Sequence, residues 1–151
     1  MKHHAIALMI VASASAASAQ QLAVNGSFGA VLFNDAFGSG AVIKQATVGI
    51  GVVAPGQPIR VSFAAKGSGE IGGVGFAEFF SELEFGGVSA AEILGGGPLP
   101  LTDEYQTFTF DVTTGPDVSG GITLQFAAVT GANVGSEMTL FVDDVSISGP
   151  N

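Results

Sequence analysis

The run Glu78-Phe79-Phe80-Ser81-Glu82-Leu83-Glu84 places three carboxylates around a pair of aromatic rings. Read as a strand, it sets Glu78, Phe80, Glu82 and Glu84 on one face, with same-face neighbours about 6 to 7 Å apart. A pyranose offers an apolar C–H face to a ring and hydroxyl protons to carboxylates, so this combination suits a sugar. The same residues also suit a cation, or a solvated strand face with no ligand. Retaining glycosidases hold two carboxylates about 5 to 5.5 Å apart, which Glu82 and Glu84 approach. A small hydrolase is therefore an alternative, although the chain contains no Glu-x-Asp-x-x-Glu string and no Asp-Thr-Gly or Asp-Ser-Gly loop. Two further polar candidates lie downstream. Gln125 falls on the non-core face of its strand and completes a polar groove if that strand shares a sheet with residues 78–84. Tyr105, the one Tyr in the chain, supplies the remaining ring with a polar tip.

Composition removes most other chemistry. The 151 residues include no Cys, no Trp and two His, and those are His3 and His4. Ser-His-Asp and Cys-His catalysis, thiolate redox chemistry and the usual zinc and copper ligand sets have no residues to work with beyond position 4. A net charge of −9 with four basic residues leaves no surface for a run of phosphates, so nucleic acid and anionic membrane are excluded as partners. Beyond the N-terminus no stretch approaches the roughly 20 apolar residues of a membrane span, so no membrane insertion is expected. An apolar content of 47% is too high for a disordered chain. Nothing in the sequence speaks to oligomeric state.

The N-terminus reads as an address. Lys2, His3 and His4 form a short basic start, Ala5 to Ala12 an apolar core, and Ala17-Ser18-Ala19 the small-x-small pattern of a secretory cleavage site. A signal peptide over 1–19 and a single domain over 20–151 are expected, in a bacterial protein bound for the periplasm, the cell surface or the medium.

The remaining chain must place these candidates with strands. Ile59, Val61, Phe63 and Ala65 alternate with Arg60, Ser62, Ala64 and Lys66. Gln106, Phe108, Phe110 and Val112 alternate with Tyr105, Thr107, Thr109 and Asp111, and Ile122, Leu124, Phe126 and Ala128 with Thr123, Gln125, Ala127 and Val129. Each is the period-two pattern of a strand with one buried face. Further strands are expected over 46–53, 74–85, 88–94 and 139–147, separated by breaks such as Gly86-Gly87, Gly95-Gly96-Gly97-Pro98 and Gly120-Gly121. Short strands at regular spacing without a βαβ rhythm predict an all-β, antiparallel β-sandwich with jelly-roll connections.

Several strings add a family likeness. Asn25-Gly26-Ser27-Phe28 opens the domain and Leu140-Phe141-Val142-Asp143-Asp144-Val145-Ser146-Ile147 closes it. Between them stand Pro55-Gly56-Gln57-Pro58 running into Ile59–Gly67, the segment Thr102–Phe110, and Ile122-Thr123-Leu124-Gln125-Phe126. In order and spacing these resemble the jelly-roll carbohydrate-binding modules of the family 4/9/22 group, a branch of the galactose-binding-like superfamily. The resemblance implies a galactose-binding-like jelly roll, a non-catalytic role, and a polysaccharide or glycan as partner, with Phe80, Glu82, Tyr105 and Gln125 as the ligand-binding candidates. Tyr105 stands where such modules often carry Trp. It also implies a structural calcium ion joining the two ends of the domain through Ser27, Gly40 and Asp143. The chain departs from the pattern at Gly29, where many such modules carry an acidic residue. An adhesive or structural surface protein with the same fold and no sugar site is the main alternative.

Overall fold

The computed structural model describes the backbone of residues 21–25 and the whole of residues 29–149. The leader expected over 1–19 and the calcium candidate Ser27 lie outside the described residues. Nine strands follow one another: β1 (Gln21–Asn25), β2 (Ala30–Asn34), β3 (Gly40–Val48), β4 (Pro58–Glu70), β5 (Val74–Glu82), β6 (Val88–Ile93), β7 (Gln106–Thr113), β8 (Gly121–Val129) and β9 (Glu137–Ser148). They form two antiparallel sheets. The first runs β1-β9-β4-β7, with β2 also paired to β9, and the second runs β3-β8-β5-β6. This is the sandwich that the alternating patterns predict, with a jelly-roll arrangement. Among the described residues no helix is long and apolar enough to cross a membrane.

Hydrophobic residues at every second position of β4, β8 and β9 face each other between the sheets. Ile59, Val61, Phe63 and Ala65 of β4, Ile122, Leu124 and Ala128 of β8, and Leu140, Val142 and Ile147 of β9 are almost fully buried. Phe63 bridges the layers. Its ring lies 5.5 Å from Phe108 and 6.1 Å from Phe110 within its own sheet, and meets Phe126 of the second sheet edge-on at 4.8 Å. Burying one such ring stabilises the fold by about 1.5–3 kcal/mol. The edge strand β7 is further tied to β4 where Asp111 accepts paired hydrogen bonds from Arg60 at 2.7 and 2.9 Å. Those bonds hold the Asp111 carboxyl below its usual range.

The strands depart from the sequence reading in several places. The strand expected over 46–53 lies instead at Gly40–Val48, because Gly49 and Gly51 take positive φ and Val53 N–H turns back to the Gly49 carbonyl at 2.9 Å. β5 stops at Glu82 rather than continuing to Phe85. The reason is a tight turn in which Gly86 N–H donates to the Leu83 carbonyl at 3.1 Å and Leu83 N–H to the Gly87 carbonyl at 3.0 Å. β1 and β2 carry no alternation long enough to stand out, yet both pair with β9.

Candidate functional site

The outer face of the second sheet brings together most of the residues singled out by chemistry. Along β5 the inward side chains Ala77, Phe79 and Ser81 are buried, so Phe76, Glu78, Phe80 and Glu82 point outward and are half-buried. β8 lies directly beside β5, with Gln125 opposite Glu78 and Thr123 opposite Phe80. Gln125 Nε2 donates to Glu78 Oε2 at 2.6 Å. On its other side β8 pairs with β3, which sets Lys44 opposite Gln125. Across four strands, the register therefore aligns Lys44, Gln125, Glu78 and Ile93 in one row. Thr123, Phe80 and Ala91 form the next row, followed by Gly121, Glu82 and Val88. Half-exposed rings beside a bonded carboxamide and carboxylate are the elements that a sugar ring and its hydroxyls recognise.

A network behind this face holds its edge strand in place. Asn34, at the end of β2, is buried and donates through Nδ2 to the Ala128 carbonyl at 3.0 Å. Its Oδ1 accepts from Ser39 Oγ at 2.9 Å and from Ala36 N–H at 3.2 Å. Ser39 N–H in turn donates to Thr130 Oγ1 at 3.1 Å, and the Thr130 hydroxyl bonds the Ala36 carbonyl. A buried polar group stripped of one partner costs about 1–3 kcal/mol, so this closed set fixes the link into β3 against the end of β8.

At the Gly121 end of the same face a cavity of about 460 Å³ opens, lined by residues of β3, β5 and three connections. Thr47 and Ile50 line it from the end of β3 and the following turn, Leu83, Glu84 and Gly86 from the β5–β6 turn, and Ser119 and Gly120 from the segment before β8. These walls are built closely. Gly120 N–H donates to the Glu82 carbonyl at 2.9 Å, and a Cβ at Gly120 would lie 2.4 Å from the Leu83 carbonyl oxygen. Glu84 N–H donates to Ser119 Oγ at 2.9 Å. Ser119 N–H donates to Asp117 Oδ1 at 2.8 Å, and that bond draws the Asp117 carboxyl below its usual range. Thr123 also lines the cavity. Its inward neighbours Ile122 and Leu124 occupy the core, so its side chain takes the outer face, and its buried Oγ1 has no hydrogen-bond partner.

The sequence candidates thus divide. Phe80, Glu82 and Gln125 share one face. Glu84, expected beside them, sits in the turn beyond the strand and reaches the cavity wall instead. Tyr105 does not join them. It immediately precedes β7 in the first sheet and is 47% exposed, with Lys66 Nζ 4.8 Å above its ring and 5.3 Å from the ring of Phe141. Of the calcium candidates, Asp143 lies on the outer side of β9, and Gly40 begins β3 of the other sheet, paired with Val129. Sequence reasoning passed over Lys44, Thr123 and Phe85. The last is 95% exposed at the tip of the β5–β6 turn, and its signal was the following Gly86-Gly87 pair, read there only as a break.

With this geometry in place, comparison with known proteins bears on the fold. No family model matches the sequence, and no curated protein matches it. Among solved structures the chain is similar to one described as "CBM4 structure and function", with a TM-score of 0.53 at 16% identity, over 83% of this chain and 87% of that one. It is also similar to the enzymatically active domain of bacteriophage CBA120 tailspike protein 4, with a TM-score of 0.52 at 12% identity over 87% of this chain. The chain spans only 19% of the length of that tailspike structure. The protein therefore has a jelly-roll β-sandwich fold similar to that of the CBM4 structure, the fold that the sequence motifs imply.

Proposed function

We propose that this protein is a non-catalytic, extracytoplasmic module that binds a polysaccharide or glycan on the outer face of its second sheet. The observation that carries this reading is the row of Lys44, Gln125 and Glu78, with Phe80 in the row beside it, on a sheet whose fold is similar to that of a carbohydrate-binding module. The carboxylates read as hydroxyl acceptors rather than as an acid and nucleophile pair. Glu78 already accepts from Gln125, and Glu84 lies off the strand that would have set it beside Glu82. Export rests on the leader pattern at residues 1–19.

A structural calcium ion belongs to the same proposal. Asp143 sits where β9 changes partner, since Val145 pairs with Asn25 of β1 and Val142 with Ala30 of β2. The link between those two strands carries Ser27. A carboxylate there, with hydroxyl and carbonyl oxygens, fits the hard-oxygen preference of calcium. Among the described residues no three acidic, His or Cys side chains gather into a metal cluster, so such an ion would draw chiefly on Asp143 and on neutral oxygens.

The test is retention of the purified protein on insoluble polysaccharides and in affinity electrophoresis with soluble ones, alongside an assay for released reducing ends. Saturable retention on one glycan class without new reducing ends is expected, with Phe80→Ala and Gln125→Ala each weakening it about tenfold. Release of reducing ends would replace binding with hydrolysis. Absence of retention from the folded protein would transfer the reading to surface adhesion.

A further inference from the structure

The rims of the two sheets are defended unevenly. A strand at a rim offers its unpaired N–H and C=O groups to any strand that meets it, and folds block such meetings with charged side chains or breaks in register. β3 carries Lys44 and a register shift between Gln45 and Val48. β6 carries Glu92 and pairs with β5 through a shift at Ser81 and Glu82. β7 carries Asp111, and β1 pairs with β9 through a shift between Gln21 and Ala23. β2 has none of these devices. Its five residues are uncharged, and they pair with β9 in unbroken register from Ala30–Val142 to Asn34–Met138.

The far side of β2 is open. Among the described residues β9 is its one ladder partner, and no turn or loop backbone bonds to Ala30–Asn34. The residues of β2 that do not bond β9 therefore turn their N–H and C=O groups to solvent. Ala30, Leu32 and Asn34 are buried against the core side, while Val31 and Phe33 are 62% and 55% exposed on the outer face. Phe141 stands beside Val31 and Thr139 beside Phe33. A β-branched side chain and a ring on an open, uncharged rim are suited to cross-strand pairing.

We infer that β2 is a pairing edge for β2 of a second copy of this chain, antiparallel about a two-fold axis through Leu32. The strand is complementary to itself in that register. Val31 falls opposite Phe33 of the second copy, Phe33 opposite its Val31, and the two Leu32 residues meet on the inner side, so apolar pairs form on both faces. Charge selects the same edge. Copies that each carry −9 repel one another, and pairing through β6 or β7 brings Glu92 or Asp111 into the contact, whereas β2 brings no charge. The axis stands normal to the sheet. The first sheets of the two copies become one continuous sheet, and both second sheets lie on the same side of it with their outer faces pointing the same way. Where those faces bind glycan, as proposed above, one dimer grips a surface at two points; this consequence rests on the glycan reading, and the pairing does not. Five residues a side form a smaller contact than a standard stable interface, so the dimer assembles with rising concentration.

Sedimentation equilibrium of the purified protein reads the pairing. The apparent mass rises from one chain towards two as the concentration is raised from about 10 μM to about 1 mM, and Phe33→Lys holds it at one chain with the wild-type melting temperature in dilute solution. A mass of one chain throughout overturns the inference. Equal association of wild type and Phe33→Lys puts the contact on another surface and overturns it as well. The register is read with cysteines, which the chain lacks. Opposite residues of an antiparallel pair have Cα atoms about 4.5–5.5 Å apart, within disulfide reach, whereas two copies of residue 31, or two of residue 33, lie beyond the limit of about 7 Å. Under mild oxidation a mixture of the Val31→Cys and Phe33→Cys proteins therefore forms a cross-linked dimer, and neither variant alone does. Cross-linking that is equal in the single variants and the mixture, or absent from all three, overturns the two-fold at Leu32. None of these readouts involves a glycan, so failure of sugar binding leaves them standing.

Discussion

Thr123 keeps a hydroxyl at a position where the strand alone would be served better by a methyl. Its Oγ1 is buried and unpaired, and such a group costs about 1–3 kcal/mol. Thr123→Val preserves the β-branched shape and removes the orphan, so unfolding in denaturant should show a gain of about 1 kcal/mol or more. A variant less stable than the wild type would mean that the hydroxyl serves the fold. Gln125 is the opposite case. Its bond to Glu78 is already made, so it arranges the platform before any sugar arrives.

At the scale of the strand, glycines decide where β4 and β9 run together. The alternation of Ile59 to Lys66 predicts a strand ending near Lys66, yet β4 continues to Glu70 through Gly67 and Gly69, which pair with Leu140 and Met138. A Cβ on Gly67 would lie 2.2 Å from the Thr139 carbonyl oxygen, a backbone atom that cannot step aside. Gly67→Ala should therefore cost about 3 kcal/mol, at the upper end of overpacking. Gly97→Ala, at an extended φ of −174° with nothing within 4 Å, should stay within about 0.5 kcal/mol of wild type. Equal denaturation midpoints for the two variants would show that the β4–β9 contact tolerates a side chain. This contrast marks what the sequence makes legible. Strands that bury one full face, as at Ile59–Lys66 and Ile122–Val129, announce themselves through alternation. β2 has only five residues, and β3 leaves Val42 and Lys44 exposed with a bulge before Val48, so neither produces a clear period. The outward set of Glu78, Phe80 and Glu82 was readable because it needs only β5. Its meeting with Gln125 and Lys44 depends on strands far apart in the chain, and the cavity on three separate turns, none of which a local pattern encodes.

For the molecule as a whole, β9 is the seam. It pairs with β4 along one side and with β1 and then β2 along the other. Where the partner changes, the ladder to β4 shifts between Ser62 and Ala64, Asp144 takes a positive φ of 50°, and its N–H donates to Asp143 Oδ1 at 2.8 Å. A cation bound there would tie the start of the domain to its closing strand. Any cation, however, relieves the self-repulsion of a chain carrying −9, so stabilisation by calcium alone does not identify a site. The discriminating comparison sets calcium against magnesium and sodium chloride at matched ionic strength. A specific site filled at a hundred times its dissociation constant adds about 2.7 kcal/mol, or on the order of 5–10 °C in melting temperature for a domain of this size. Wild type should gain that increment from calcium and lose it to chelator, and magnesium should not reproduce it. Asp143→Ala should melt at one temperature with calcium or chelator. An Asp143→Ala variant that still responds to calcium as wild type does would remove Asp143 from the ligand set, and a response common to all three salts would assign the effect to net charge.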